Sequence, residues 1–240
     1  MSDKPFTKAN LNDYLKDLAK EFKKRNGRKT PAEIVLIGGA SILINYGFRE
    51  LTYDLDAIIS ASSAMKESIN AIGDMYGLPT GWLNTDFVRT ASYSSKILLY
   101  SKYYRTYSNI LTIRTITGEY LLAMKLKSGR QYKYDLSDIV GILCEQEKAG
   151  KPLTLDDVKR AVIDLYDSYD VISDRSKDFI EYAFKYGDYN KLYKIVRDQE
   201  KENKEVLLDF QERYPNVMNF DNINDIIDSA RKKKQETADK

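Results

Sequence analysis

The stretch Ile34-Val35-Leu36-Ile37-Gly38-Gly39-Ala40-Ser41, with Thr52-Tyr53-Asp54-Leu55-Asp56-Ala57-Ile58-Ile59 downstream, decides how the chain reads. The first part is a short β-branched run ending in two glycines, the pattern of a buried strand that feeds a tight turn. Glycines there let the backbone approach a polyanion closely. A helix starting just after them presents unpaired N–H groups and the positive end of its dipole. Ser41 is placed to donate its hydroxyl to a phosphate oxygen. The second part reads as another strand, and Asp54 and Asp56, two apart on it, send both carboxylates to one face. Two like charges so close repel unless a cation sits between them. A buried Asp56 without a partner is costly, so something must compensate it.

Composition narrows what that cation is. The chain has 240 residues, no histidine, and Cys144 as its only cysteine. Ser-His-Asp and Cys-His mechanisms, HExxH metalloproteases and His- or Cys-ligated metal centres are thereby excluded. Oxygen ligands remain, and they select Mg²⁺, Mn²⁺ or Ca²⁺. A metal site beside a phosphate cradle is the minimum for metal-assisted phosphoryl or nucleotidyl transfer, with Mg²⁺ or Mn²⁺ as cofactor and a nucleoside triphosphate as substrate. Hydrophobic residues at 42% and charged residues at 31% describe a soluble globular chain. No apolar run approaches the ~20 residues that span a bilayer. The opening Met1-Ser2-Asp3-Lys4-Pro5 lacks the layout of a signal peptide, so a cytoplasmic location without a membrane partner is expected. The basic cluster Arg231-Lys232-Lys233-Lys234 reads as a solvated end.

Working outward, Leu11, Leu15, Leu18 and Phe22 recur at helical spacing behind Thr7, which predicts an N-terminal helix to about Lys24. A short helix is expected over 40–46, and another from Ser62 or Ser63 to near Gly77. Lys96 to Tyr100 and Ile110 to Ile116 read as strands, joined by a connection rich in Tyr, Ser and Lys. Thr117 is placed to cap a helix through Leu126. Leu136, Ile139, Val140 and Leu143 form the stripe of the next one. From Pro152 onward the strand signal disappears, and Thr154 with Asp157 gives a capping box. Ser173 caps a further helix that Gly187 stops. Leu192, Ile195 and Val196 mark another, whose charged stretch Gln199 to Glu205 is expected to project into solvent. A last short helix carries Ile223, Ile226 and Ile227. The reading is an α+β chain: a small mixed sheet with flanking helices over 1–150, including the N-terminal helix, and a helical C-terminal lobe over 151–240.

Gly38-Gly39-x-Ser41 followed by Asp54-x-Asp56 resembles the glycine-turn and paired-aspartate signature of the DNA polymerase β-like nucleotidyltransferase superfamily. Within it, the chain looks most like the bacterial AbiEii and MenT toxin group and its uncharacterised relatives. Arg49 and Thr52 match the pair that precedes the aspartates there, spaced by one extra residue. Ala123-Met124-Lys125-Leu126, then Arg130, Asp135 and Asp138, match a later segment. The resemblance runs from about Ile34 to Leu143. It implies a nucleotidyltransferase-type sheet, Asp54 and Asp56 as metal ligands, and Gly38, Gly39, Ser41, Arg49 and Thr52 around the nucleotide. It also implies a catalytic part for Lys125 facing the triphosphate, with Arg130 and Asp138 as further candidates. RNA, including tRNA, is the implied acceptor, and a cognate antitoxin the implied partner.

Many members carry a third carboxylate on a neighbouring strand. Here the strand Ile110 to Ile116 offers Arg114 and no acid, Asp86 lies in a segment without a clear element, and Asp138 falls on a helix. The alternatives are therefore a nucleotide- or partner-binding module without turnover, and nucleotidylylation of a partner protein. Asp135 and Asp138 also read as partners for Lys125 or Arg130 that hold two helices together. Among 19 tyrosines, the run from Tyr93 to Tyr107 interleaves with Lys96, Lys102 and Arg105. It reads as a hairpin with tyrosines on one face, or as a surface for single-stranded nucleic acid. Trp82 reads as a loop anchor.

Overall fold

The computed structural model describes residues 4–27, 30–219 and 222–238, with side chains described as far as residue 232. Met1 to Asp3 and the side chains of Lys233 and Lys234 lie outside that set, so the opening residues and half of the basic cluster have no structural counterpart here. Thr7 caps α1 (Lys8–Asn26) through a capping box with Asn10, and Leu11, Leu15, Leu18 and Phe22 are all buried. Next come β1 (Ala32–Leu36), α2 (Gly38–Asn45), β2 (Leu55–Ser60), α3 (Ala64–Tyr76), β3 (Leu83–Asn84), β4 (Ser101–Tyr107) and β5 (Leu111–Ile116). They build one mixed sheet in the order β3-β2-β1-β5-β4, with β1 antiparallel to β2 and parallel to β5.

The two-residue period of β1 decides what each face of the sheet carries. Ile34 and Leu36 pack with Leu15 and Leu18 of α1 and with Ile69 and Ile72 of α3. Val35 and Ile37 turn the other way, onto α4 (Gly118–Ser128) and α5 (Asp135–Lys148). On that side the apolar cluster continues through Val162 of α6 (Leu155–Tyr166), Ile180 of α7 (Asp174–Tyr186) and Leu192 of α8 (Tyr189–Arg213). Ser63 and Thr117 stand at the N-cap positions of α3 and α4 but make no side-chain cap bond; two other expected caps do. Thr154 and Asp157 form a capping box before α6, and the Ser173 side chain accepts from Ser176 N–H at the start of α7. The last helix, α9 (Ile223–Ala238), is longer than a short terminal turn. Trp82 anchors its loop: it is 3% exposed, stacks on Phe6, and donates from Nε1 to the Ile69 carbonyl at 2.9 Å.

Three further expectations are corrected. Lys96 to Tyr100 is part of a 3₁₀ helix (Ser95–Tyr100), not a strand. Only Ile97 of that apolar run goes inside, and the Ser94 side chain accepts from Lys96 N–H to start the turn. The strand begins at Ser101, so the supposed connection is itself β4. The tyrosines from Tyr93 to Tyr107 do not share one face. Tyr104 and Tyr107 pack on the α1 side, Tyr93 and Tyr100 pack on the α4 side, and Tyr103 is exposed. A register shift between Tyr103 and Arg105 breaks the simple alternation.

The third correction concerns Gln199 to Glu205. These residues sit in the middle of a continuous α8, where Glu200 is 1% and Asn203 4% exposed. Both turn inward onto the start of α5. Glu200 accepts from the N–H of Leu136 at 2.8 Å and of Ser137, and Asn203 Nδ2 donates to the Gln131 carbonyl at 2.8 Å. Burial pushes the Glu200 carboxyl up to about 7, against the opposite pull of those N–H groups. An acid bound more tightly by its proton when folded contributes stability at low pH and loses it as the pH rises through the folded value. Glu200→Gln is therefore expected to flatten a loss of stability that runs from about pH 4.5 to about pH 7. That loss is roughly 3.5 kcal/mol at most, at about 1.4 kcal/mol per pKa unit. Denaturant midpoints across that range give the slope, and an unchanged slope would contradict this assignment.

Candidate functional site

Both glycines lie inside the first turn of α2, not in a turn ahead of it. Ile37 occupies the N-cap position and offers no side-chain acceptor, which leaves the helix start available to a ligand. Gly38 has φ +52°, a conformation that favours glycine. Gly39 is needed for space: a Cβ there would stand 2.7 Å from Thr52 Oγ1 and 3.1 Å from Arg49 Nη2. The glycine turn and the Arg49–Thr52 pair are thus two sides of one close contact. Thr52 is held in turn by paired backbone bonds to Phe6 and donates from Oγ1 to the Asp54 carbonyl at 3.2 Å.

Asp54 falls one residue before β2, so it is not on the strand as expected, and it is exposed; Asp56 is within β2 and half-buried. Alternation still places Asp56 correctly. Its neighbours Leu55 and Ala57 are buried on the α1–α3 side, which turns Asp56 toward α4. Neither carboxylate has a hydrogen bond or ion pair among the described residues. Burial, and then the Asp54 charge, hold the Asp56 carboxyl above the usual range; Arg130 and Lys125 pull against them, and Asp86 acts with them. Asp86 opens a 3₁₀ turn (Asp86–Arg89) just past Asn84, which pairs with Asp56 across β2 and β3. Among the described residues, no group of three or more acidic or thiol side chains is arranged to hold a metal ion.

Opposite the aspartates lies a charged cluster. Lys125 is 8% exposed, and its ammonium is 2.7 Å from Asp135 Oδ1 and 2.9 Å from Asp138 Oδ2. Arg49 Nη1 is 2.6 Å from Asp138, and Arg130 Nε is 2.8 Å from Asp135. Burial alone would raise the Asp135 carboxyl, yet Lys125 and Arg130 bring it down to about 2. Burial opposes the charge on Lys125, but Asp135 and Asp138 outweigh it and raise its pKa. Three cations on two carboxylates leave this cluster net positive.

Gly38, Gly39, Arg49, Thr52, Asp54, Asp56, Lys125 and Arg130 all line one cavity of about 510 Å³. Ser41 does not. Its hydroxyl is fully buried and accepts from Ile116 N–H at 2.9 Å, tying α2 to β5 and facing away from the cavity lining. Asp138 stands behind Lys125, outside the lining.

The cavity also contains residues that the sequence reading passed over. Leu121, Met124 and Ser128 join Lys125 on one wall, and their i, i+3, i+4, i+7 spacing was a readable signal. Phe87 and Arg89 of the 3₁₀ turn, with Thr90, Ala91 and Ser92 of the irregular chain after it, form another, and so short a stretch has no period to read. Arg89, Lys127 and Lys133 join Arg49, Lys125 and Arg130 as six cationic side chains, against Asp54, Asp56 and Asp135. That imbalance suits an anion of several charges.

Residues 13–194 match the profile of a family described as nucleotidyltransferase of unknown function (DUF6036). No curated protein and no solved structure matches the chain at a significant level.

Proposed function

The chain belongs to this family of nucleotidyltransferases of unknown function, and from that premise we propose that it transfers a nucleotidyl group from a nucleoside triphosphate to a hydroxyl acceptor. Asp54 and Asp56 would hold Mg²⁺ or Mn²⁺. The observation that carries this reading is the cavity itself, where two unpaired carboxylates stand among six cations beside an uncapped helix start. The donor set fits the ion. Mg²⁺ is commonly held by one or two carboxylates with substrate phosphates completing its shell, so a third strand acid is not required. When bound, the ion offsets phosphate charge and activates the attacking hydroxyl.

The chain's own residues supply the rest. First-turn N–H groups of α2 and the Arg49 and Arg130 guanidiniums bind phosphate oxygens. Lys125, fixed by Asp135 and Asp138, is a preorganised positive charge for the leaving pyrophosphate. RNA is the favoured acceptor class, in a cytoplasmic toxin–antitoxin or abortive-infection setting with a cognate antitoxin. The likeness to the AbiEii and MenT group supports that part of the reading.

Incubation with Mg²⁺, each α-labelled triphosphate and bulk tRNA tests it. Label on RNA, lost in Asp54→Ala, is the expected result. Label on protein would replace it with nucleotidylylation of a partner. No transfer with any triphosphate would leave a binding module.

A further inference from the structure

The charged cluster is braced by residues that lie beyond the family match. Tyr134, at the N-cap of α5, has φ +63° and no side chain able to accept from the first-turn N–H groups. Glu200 of α8 accepts from them in its place, at Leu136 and Ser137. One turn earlier, the Arg197 guanidinium lies 3.5 Å from the centre of the Tyr134 ring. Asn203 holds the Gln131 carbonyl, and Asn224 of α9 accepts from the Gln131 side chain. The segment 130–137, which carries Arg130, Lys133 and Asp135 into the cavity, is thus clamped from outside by 197–224. Among the described residues the Glu200 carboxylate has no cationic partner, so its burial is compensated only by the α5 amides.

We propose that Glu200 is a positioning residue for the phosphate-binding cations. By capping α5 from another helix, it fixes the turn that bears Asp135 and Asp138, and through them Lys125, Arg130 and Arg49. The proposal rests on the cavity being a triphosphate site, and small displacements of such a cluster weaken a ligand disproportionately. α8 therefore belongs to the site although it contributes no lining residue to the cavity.

Two readouts on the full chain test it: binding of a non-hydrolysable triphosphate with Mn²⁺, and mass-spectrometric labelling of Lys125 by an amine-reactive reagent. Glu200→Ala is expected to weaken binding roughly tenfold, the lower end for loss of an outer partner of a ligand site, and to raise labelling of Lys125. Glu200→Gln keeps an acceptor oxygen and restores both. Glu200→Asp, shorter by one methylene, gives the same changes in smaller measure and serves where the alanine variant does not fold. Ile180→Ala, a core truncation on α7, loses stability and changes neither readout. Unaltered Lys125 labelling in the alanine and aspartate variants, or equal labelling in Ile180→Ala, would overturn the proposal. Absence of triphosphate binding by the wild type would defeat the functional reading instead, and the labelling would still decide the role of Glu200.

Discussion

Asp56→Asn is expected to lower nucleotidyl transfer at least about a hundredfold, beyond the loss typical of outer partners of a metal, while raising the melting temperature. The two effects share one cause. Asp56 is half-buried beside Asp54 with no partner among the described residues, and both burial and that neighbour disfavour its charge. A carboxyl whose folded pKa is raised costs the folded state as the pH rises through that value, so at neutral pH the ionised side chain is a burden. Asparagine fills the same volume without it. A substitution that stabilises the fold and destroys activity marks a residue retained for function. Thermal melts and the labelled-triphosphate assay on one preparation decide the matter. A lower melting temperature would make Asp56 structural, and wild-type transfer would remove it from the site.

The second large effect is on stability. Asp135→Ala should destabilise the protein by about 3–5 kcal/mol, the scale on which removing one partner leaves buried charge uncompensated. Asp135 is fully buried and serves the Lys125 ammonium, the Arg130 guanidinium and the Arg130 N–H together. Its pKa of about 2 sets the pH dependence. A depressed carboxyl contributes stability above its unfolded value near 3.8, and loses it as the pH falls from there toward 2. Urea titrations at neutral pH measure the difference. A loss below about 1 kcal/mol would place the ion pairs with surface salt bridges of little worth.

How much of this was legible depended on local rules. Helices announced by caps and stripes, such as α1 behind Thr7 and α6 behind Thr154, fell where the pattern put them. So did the strand before Gly38 and the one containing Asp56, because β-branched runs ending in turn residues have few alternatives. Ile97-Leu98-Leu99 misled because a short apolar run carries no period, and only the packing shows that Ile97 alone goes inside. Ser41 was misread because one more residue along a helix rotates a side chain by about a quarter turn, away from the phosphate end. Glu200 was unreadable for a different reason. A charged stretch signals solvent unless a distant helix start needs an acceptor, and that need arises some 60 residues away in α5. Most of the cavity wall from Phe87 to Ser92 likewise exists only in three dimensions.

On the proposed function, Asp54 and Asp56 bind a divalent metal together with a triphosphate in the 510 Å³ cavity. A crystal structure with Mn²⁺ and a non-hydrolysable triphosphate tests it most directly, through the anomalous signal of the metal. The expected result is manganese between the two carboxylates, with phosphate oxygens against the first turn of α2 and the cluster around Lys125. Manganese bound elsewhere, or phosphates outside this cavity, would mean that Asp54 and Asp56 are not its ligands for nucleotidyl transfer.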